Sequence, residues 1–422
     1  MKKTRILAFL LTIPMLLTGC GSAAMKTEPQ ETMVAVTEPT TEPTTEPTTE
    51  APTEPPTEPP VKLDIDMTLE EKIYQLFIVT PEALVKTKGV QYAGDQTKAA
   101  LDARHVGGLV YFESNMRSIS QARDLLHNTQ DLAMQDGGIG VFLAVDEEGG
   151  SVARCGRKLG AAPMDTMESY GSRNSHDEAV EVGQTLGRVL GMLGFNLDFA
   201  PVADVNLNPN NELGDRIFSS SPDVVANMVD GVVTGIQEQG TVAATLKHFP
   251  GMGAAGGDTH ADGKVVISRS LDQMRGAEFV PFQQGIQAGA DFVMVSHVTV
   301  TGAGDGLPSC LSPVVCTDLL RKELGFEGII ITDSMQMQSI TANYDSGQAA
   351  VKALEAGCDM ILMPVDLDAA VAGVQEAIEN GTLTEQRIDR SVKRILDEKK
   401  KLGILQHKDA PAESTETSEN AT

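Results

Sequence analysis

A single (β/α)8 barrel is the fold class that the sequence predicts for residues 62–405, and three observations predict it. Eight short apolar runs recur along that stretch, most of them apolar on consecutive positions, as parallel strands buried on both faces require. Helix-period segments lie between the runs, which is the alternation of an α/β sheet. Polar and charged residues gather directly after the runs, where a barrel keeps its chemistry. An open doubly wound sheet is the competing architecture. It is expected to carry a glycine-rich phosphate turn after its first strand, and nothing following Phe77–Thr80 resembles one.

Taken in order, the chain opens with Lys2, Lys3 and Arg5 and an apolar run from Ile6 to Leu17. That run is too short for a comfortable bilayer span and reads as a signal-peptide core. Leu17-Thr18-Gly19-Cys20 resembles a bacterial lipobox. Residues 1–19 are therefore expected to be a lipoprotein signal, with Cys20 the lipidated first residue of an exported, surface-anchored chain. Thr-Glu-Pro then recurs in copies between 27 and 59, and every charge from 27 to 61 is a glutamate. Proline removes donors, Glu repels Glu, and little is available to bury, so 20–61 is expected to be an extended spacer rising ~3 Å per residue. The polar tail 406–422 is expected to be disordered.

Within the barrel the strand candidates are Phe77–Thr80, Gly108–Phe112, Val141–Val145, Asn196–Val202, Ala243–Lys247, Phe292–Ser296, Ile329–Thr332 and Met360–Met363. Between them, 177–193 places Val182, Leu186, Val189, Leu190 and Leu193 on one helical stripe. Other helices are expected after Ser118/Ser120, Pro222-Asp223, Ser270, Ser312-Pro313, Asp366 and Thr384, which are capping or first-turn residues.

Composition narrows the partners. The chain of 422 residues has 33 Lys+Arg against 59 Asp+Glu, a formal net charge of −26. This argues against nucleic acid and against an anionic bilayer surface, leaving the N-terminal lipid as the expected membrane contact. The seven histidines show no H-E-x-x-H or comparable spacing, so no metal and no cofactor are expected. Beyond Cys20, the cysteines Cys155, Cys310, Cys316 and Cys358 form no C-x-x-C pair. They read as small buried thiols, with a disulfide open as the alternative. The oligomeric state is open, with a monomer favoured.

The residues after the strands carry the functional reading. Strand three ends in Asp146-Glu147-Glu148-Gly149-Gly150-Ser151-Val152-Ala153-Arg154, and strand four leads to Asp204 and a long loop with Gly214-Asp215-Arg216. Strand five ends in Lys247-His248-Phe249-Pro250-Gly251-Met252-Gly253, followed by Asp258-Thr259-His260; strand six ends in Ser296-His297 and strand seven in Thr332-Asp333-Ser334-Met335. In this order and spacing the chain, over about 66–402, resembles glycoside hydrolase family 3 in its single-domain β-N-acetylglucosaminidase branch.

The resemblance implies that Asp333 is the catalytic nucleophile, the carboxylate that a retaining glycosidase needs beneath the anomeric carbon. It implies that His260, paired with Asp258, is the acid/base, a task an imidazole suits because it titrates near neutrality. It implies that Asp146, Arg154, Arg216, Lys247 and His248 bind the sugar. The residues read alone leave simpler roles open: Asp333 as a helix N-cap, Asp258 as a turn former, and the charged set as ion pairs across the barrel mouth. Lys247 and His248 are adjacent, so the strand must end by Lys247 for both to reach one site. His297 is either a pocket residue or a satisfied core histidine, and Glu147 and Glu148 are expected to cap or support.

The loop Gly251-Met252-Gly253-Ala254-Ala255-Gly256-Gly257 has four glycines in seven residues. It is expected to be mobile and to swing His260 in and out. Two positions depart from the family pattern: Met252 stands where Gly-His-Gly is usual, and Ser151 where Arg often follows Gly-Gly. The expected reaction is release of terminal β-linked N-acetylglucosamine from glycans or muropeptides. A β-glucosidase or phosphorylase of the same family, and a non-catalytic surface barrel that binds carbohydrate, are the alternatives.

Overall fold

The computed structural model describes residues 61–135, 138–161 and 163–406. The signal at 1–19, Cys20, the linker up to residue 60 and the tail from residue 407 lie outside the described residues. Eight strands build the barrel: β1 (Phe77–Val79), β2 (Gly108–Val110), β3 (Phe142–Val145), β4 (Leu197–Asp198), β5 (Ala243–Phe249), β6 (Phe292–Val295), β7 (Ile329–Thr332) and β8 (Ile361–Leu362). They pair in parallel in the order β7-β6-β5-β4-β3-β2-β1-β8. The β7–β8 seam closes through one bridge, Ile331 to Met360, and through the Thr332 and Met335 amides donating to Met360 and Leu362.

Each expected run holds one of these strands. The run 196–202 shrinks to Leu197–Asp198 before Pro201, which has no N–H to give a ladder. The fifth instead runs on to Phe249. Between strands, the helices begin where capping chemistry put them. Ser118 accepts from the Gln121 amide, Asp366 from Ala369 and Thr384 from Arg387, and Ser270 forms a reciprocal capping box with Gln273. Helix His176–Leu193 buries Val182, Leu186, Leu190 and Leu193 of the stripe read from its spacing and leaves Val189 half-buried. It packs tightly on Pro222–Gln237: a Cβ added at Gly183 would lie 2.3 Å from the Val232 carbonyl oxygen.

The last helix, Glu385–Lys401, lies across the N-terminal end of the barrel. Lys399 Nζ donates to Gln75 Oε1 at 2.7 Å, just before β1. Ser391 donates to Asp359 before β8, and Lys401 pairs with Asp291 before β6. Cys155, Cys310, Cys316 and Cys358 are free buried thiols, as their spacing suggested. Among the described residues, no helix is long and apolar enough to cross a membrane.

Candidate active site

At the C-terminal end of β3, Glu147–Gly149 pairs antiparallel with Val152–Ala153. Gly149 and Gly150, at φ of 85° and 55°, allow the chain to reverse between them. Glu147 accepts from the Cys155 and Gly156 amides at 2.7 and 2.9 Å, capping the helix Arg154–Leu159. This is the supporting role expected for it. The hairpin delivers Arg154 to the mouth, its guanidinium carbon 5.8 Å from the centre of the Phe112 ring. Its Nε is buried and makes no hydrogen bond.

Lys247 is the hub of a buried ionic cluster. Its Nζ lies 2.8 Å from Asp146 Oδ1 and 2.6 Å from Glu148 Oε1. Arg216 grips Glu148 with two nitrogens, Nε and a terminal amine, each at 2.8 Å. Burial alone would raise the Glu148 carboxyl, but Lys247 and Arg216 outweigh it and hold it at about 2. For Lys247, burial works to lower the ammonium and the two carboxylates raise it further. Both charges are therefore fixed near neutral pH.

Lys247 and His248 both line the same cavity, although β5 does not end at Lys247. The ladder to β6 shifts register between Leu246 and Phe249, so strict alternation of faces is broken there. Asp204, fully buried, accepts from His248 Nδ1 at 2.8 Å and from the His248 amide at 3.1 Å, and its other oxygen accepts from the Met252 amide at 2.5 Å. One carboxylate thus orients His248 and anchors the start of the glycine-rich loop. Met252 is buried and lines the cavity.

Asp333 follows β7. Its amide donates to Val295, and its Oδ1 accepts from the Ser334 amide at 2.6 Å. Burial opposes its ionisation, but the imidazoles of His297 and His248, the Ser334 N–H and Lys247 together hold it below the usual carboxylate range. His297 is the core histidine of the two roles expected for it. It is buried between Cys310 Sγ at 3.1 Å and the Ser334 carbonyl at 2.8 Å, beneath the Asp333 segment.

His260 comes from the loop after β5. Asp258 Oδ1 accepts from its backbone N–H at 2.7 Å and meets its Nδ1 at 3.1 Å. Glu212 Oε2, from the loop after β4, lies 3.6 Å from the same nitrogen. Hydrogen bonding toward Glu212 is the largest influence on the ring; burial pulls the other way, and Asp333 and Asp258 add to the rise, to about 9. The bond to Glu212 and then those from His260 lower Asp258. The expected mobility meets a restraint in the first half of the loop. The Leu207 and Asn208 amides donate to the Gly253 carbonyl, and the Asn208 side chain donates to Ala255 at 2.8 Å.

A cavity of about 390 Å³ collects Asp146, Arg154, Arg216, Lys247, His248, His260 and Asp333. Asp258 does not line it but bonds His260, which does, so the catalytic and sugar-binding residues read from the sequence are brought together. Glu148 takes the supporting role expected for it, on Lys247 and Arg216; Asp204, named after strand four without a role, and Glu212 are the polar partners left unassigned. Glu148 was visible as the third acid of the run Asp146-Glu147-Glu148, whereas Glu212 and Asp204 carry no local signal of their contacts. Glu212, Asp258 and His260 also form a grouping of possible cation ligands among the described residues, each offering one atom within 4.8 Å of the others. These atoms already engage one another. A larger hollow, about 910 Å³, lies at the opposite end, lined by Lys62–Met67, Gln75 and Val141 among others. None of the residues above reaches it.

The glycosyl hydrolase family 3 N-terminal domain matches residues 68–397. Among curated relatives, a β-hexosaminidase A of Pseudoalteromonas piscicida is 30% identical over 325 residues, 70% of this chain and 54% of its own. A β-hexosaminidase of Stenotrophomonas maltophilia is 35% identical over 281 residues, 64% of this chain and 80% of its own. A family 3 β-N-acetylglucosaminidase from Paenibacillus superposes with a TM-score of 0.75 at 33% identity, covering 84% of this chain and 66% of that one. A β-N-acetylhexosaminidase from Beutenbergia cavernae gives 0.71 at 29% identity and is covered in full, against 80% of this chain. The chain spans about half the length of the first of these relatives. The barrel, the charged residues at its strand ends and these matches together place the chain in glycosyl hydrolase family 3.

Proposed function

We propose that the chain is a retaining exo-glycosidase that releases terminal non-reducing β-linked N-acetylglucosamine. The observation that carries this reading is that Asp333, held below the usual carboxylate range, and His260, raised to about 9, line one cavity. Asp333 attacks the anomeric carbon and forms the glycosyl-enzyme, while His260 gives its proton to the leaving oxygen. In the second half His260 takes a proton from water, which attacks the same carbon and frees Asp333. Asp258 holds the ring through Nδ1, which leaves Nε2 to work. Asp146, Lys247, Arg216, His248 and Arg154 are the donors and acceptors that read the hydroxyl groups of the sugar. The hexosaminidase relatives support the acetamido sugar as substrate.

Hydrolysis of an aryl β-N-acetylglucosaminide by the full chain, beside Asp333→Ala and His260→Ala, tests this. Loss in both variants is expected; equal activity in all three would refute it. Adding phosphate separates hydrolysis from phosphorolysis: N-acetylglucosamine is the expected product, not its 1-phosphate. The Leu17–Cys20 signal supports an exported protein held at the bacterial surface by a lipid on Cys20. Detergent-phase partitioning that disappears in Cys20→Ser is the expected result, and unchanged partitioning would remove the anchor. Cell-wall fragments and chitin oligomers both present the terminal sugar, and a substrate panel orders them.

A further inference from the structure

The acid/base histidine has a second carboxylate beside it that the proposed chemistry does not use. Glu212 sits on a loop whose shape is set by Asn211. That side chain accepts from the Leu213 and Gly214 amides at 2.8 and 3.2 Å, and donates to Asn206 Oδ1 and to the Asn208 carbonyl at 2.9 and 2.6 Å. Glu212 is thereby presented at little conformational cost. Its Oε1 accepts from the Thr259 hydroxyl at 3.1 Å and lies 3.5 Å from the Thr259 amide. Its Oε2 faces His260 Nδ1.

The same stretch is held from the other side. Ser339, buried in the short helix that follows the Asp333 segment, places its hydroxyl 2.7 Å from the Thr259 carbonyl and 3.1 Å from that of Asp262. Thr259 is therefore gripped by its side chain from the β4 loop and by its carbonyl from the β7 loop. Both loops line the cavity. His260, one residue on, has a side chain 67% exposed, and among the described residues its ring meets the carboxylates of Asp258 and Glu212.

We propose that Glu212 is a positioning residue for the acid/base. One carboxylate oxygen latches Thr259, the other stands beside His260 Nδ1, and the loop docks with its imidazole turned into the cavity. The role rests on His260 being the acid/base. The charged and titratable groups facing the ring are Glu212 from the β4 loop, Asp258 from its own loop, Asp333 after β7, and His297 beneath Asp333. Asp258 and Glu212 differ in what they hold: Asp258 engages the ring and its own backbone, whereas Glu212 ties the ring's loop to a separate element. A carboxylate beside Nδ1 also keeps the imidazole protonated to higher pH, the state the first step needs.

The test uses the full chain and compares kcat and KM across pH on two substrates. One is a β-linked N-acetylglucosamine disaccharide, whose leaving group needs a proton; the other is an aryl glycoside with an acidic phenol, which does not. Glu212→Gln keeps an acceptor for Thr259 and removes the charge. It is expected to move the alkaline limb of kcat/KM down by about one pH unit, with KM little changed. Glu212→Ala loses the latch as well and is expected to lower kcat on the disaccharide by roughly 10- to 100-fold. The loss on the aryl glycoside is expected to be smaller. A Glu212→Gln profile that superimposes on the unmodified protein would overturn the proposal, as would equal losses on both substrates. Should His260→Ala match the unmodified protein on the disaccharide, the acid/base reading itself fails; a dead His260→Ala beside an unaffected Glu212→Gln sinks Glu212 alone.

Discussion

The two ends of this barrel each bury an ionic cluster, and the clusters are built to different ends. At the mouth, Lys247, Asp146, Glu148 and Arg216 are joined at 2.6 to 2.8 Å, and all four line the cavity. At the floor, Asp359 takes Arg321 at 2.6 Å, Arg394 at 3.2 Å, the Ser391 hydroxyl at 2.6 Å and the Ile330 amide at 3.1 Å. That carboxylate is fully buried. A buried ion pair adds little net stability because desolvation consumes much of the attraction, yet breaking one strands a charge. The floor cluster therefore acts as a lock that ties the last helix to β8. The mouth cluster keeps one side toward the cavity, where its charges can be completed by the hydroxyls of a sugar.

Four substitutions sharpen this contrast. The largest effect is expected for Asp333→Ala, a loss of about 10⁴-fold or more in kcat with a melting temperature near that of the unmodified protein. Removing a half-buried carboxylate that accepts one backbone bond takes little from the fold, so a collapse in melting temperature would blur the two ends. Asp359→Ala is expected to do the reverse. It leaves Arg321 and Arg394 without their carboxylate and destabilises by about 3–5 kcal/mol in urea unfolding, while kcat per folded molecule at low temperature is retained. A stable but inactive Asp359→Ala would contradict the division of labour.

Lys247→Met comes third and should show both faces of the mouth cluster. It is expected to lower kcat/KM by roughly 10²- to 10³-fold and to cost some stability, because Glu148 then keeps only Arg216 and Asp146 loses its ammonium partner. An effect on stability alone would make the cluster structural.

Lys399→Met is the smallest, since among the described residues that ammonium meets Gln75 and the face of Phe142, its Nζ 5.2 Å from the ring centre, and no carboxylate. Burial lowers Lys399 to about 7. Between that value and the ordinary lysine range the unfolded chain binds the extra proton, so stability rises with pH across this window and the full penalty applies below it. Lys399→Met is therefore expected to be the more stable protein at pH 7, with the difference shrinking toward pH 10. A difference independent of pH would show that Lys399 titrates normally.

Much of this was legible in the residues. The eight strands appeared as short apolar runs, most of them on consecutive residues, because both faces of each are covered. The helix starts showed because Ser118, Ser270, Asp366 and Thr384 bond to amides three residues on, a purely local signal. The site residues showed because strand ends are short in sequence and converge in space. What could not be read are partners that meet only after folding. Asp204 meets His248 across 44 positions, and Glu212 meets Thr259 across 47. The loop of Gly251–Gly257 looked freely mobile from its glycines. Its first half is restrained instead, by backbone bonds from Leu207 and Asn208 that leave no mark in composition. The extension of β5 past Lys247 was missed for a related reason, since a register shift depends on the neighbouring strand.

The central claim is that Asp333 forms a bond to the sugar. A fluorinated N-acetylglucosaminyl fluoride, which builds the glycosyl-enzyme faster than water removes it, tests this by mass spectrometry of the digested protein. The peptide containing Asp333 is expected to gain one sugar mass, and no label is expected in Asp333→Ala. A label on the peptide carrying Asp146 and Glu148, or turnover without any label, would contradict the account.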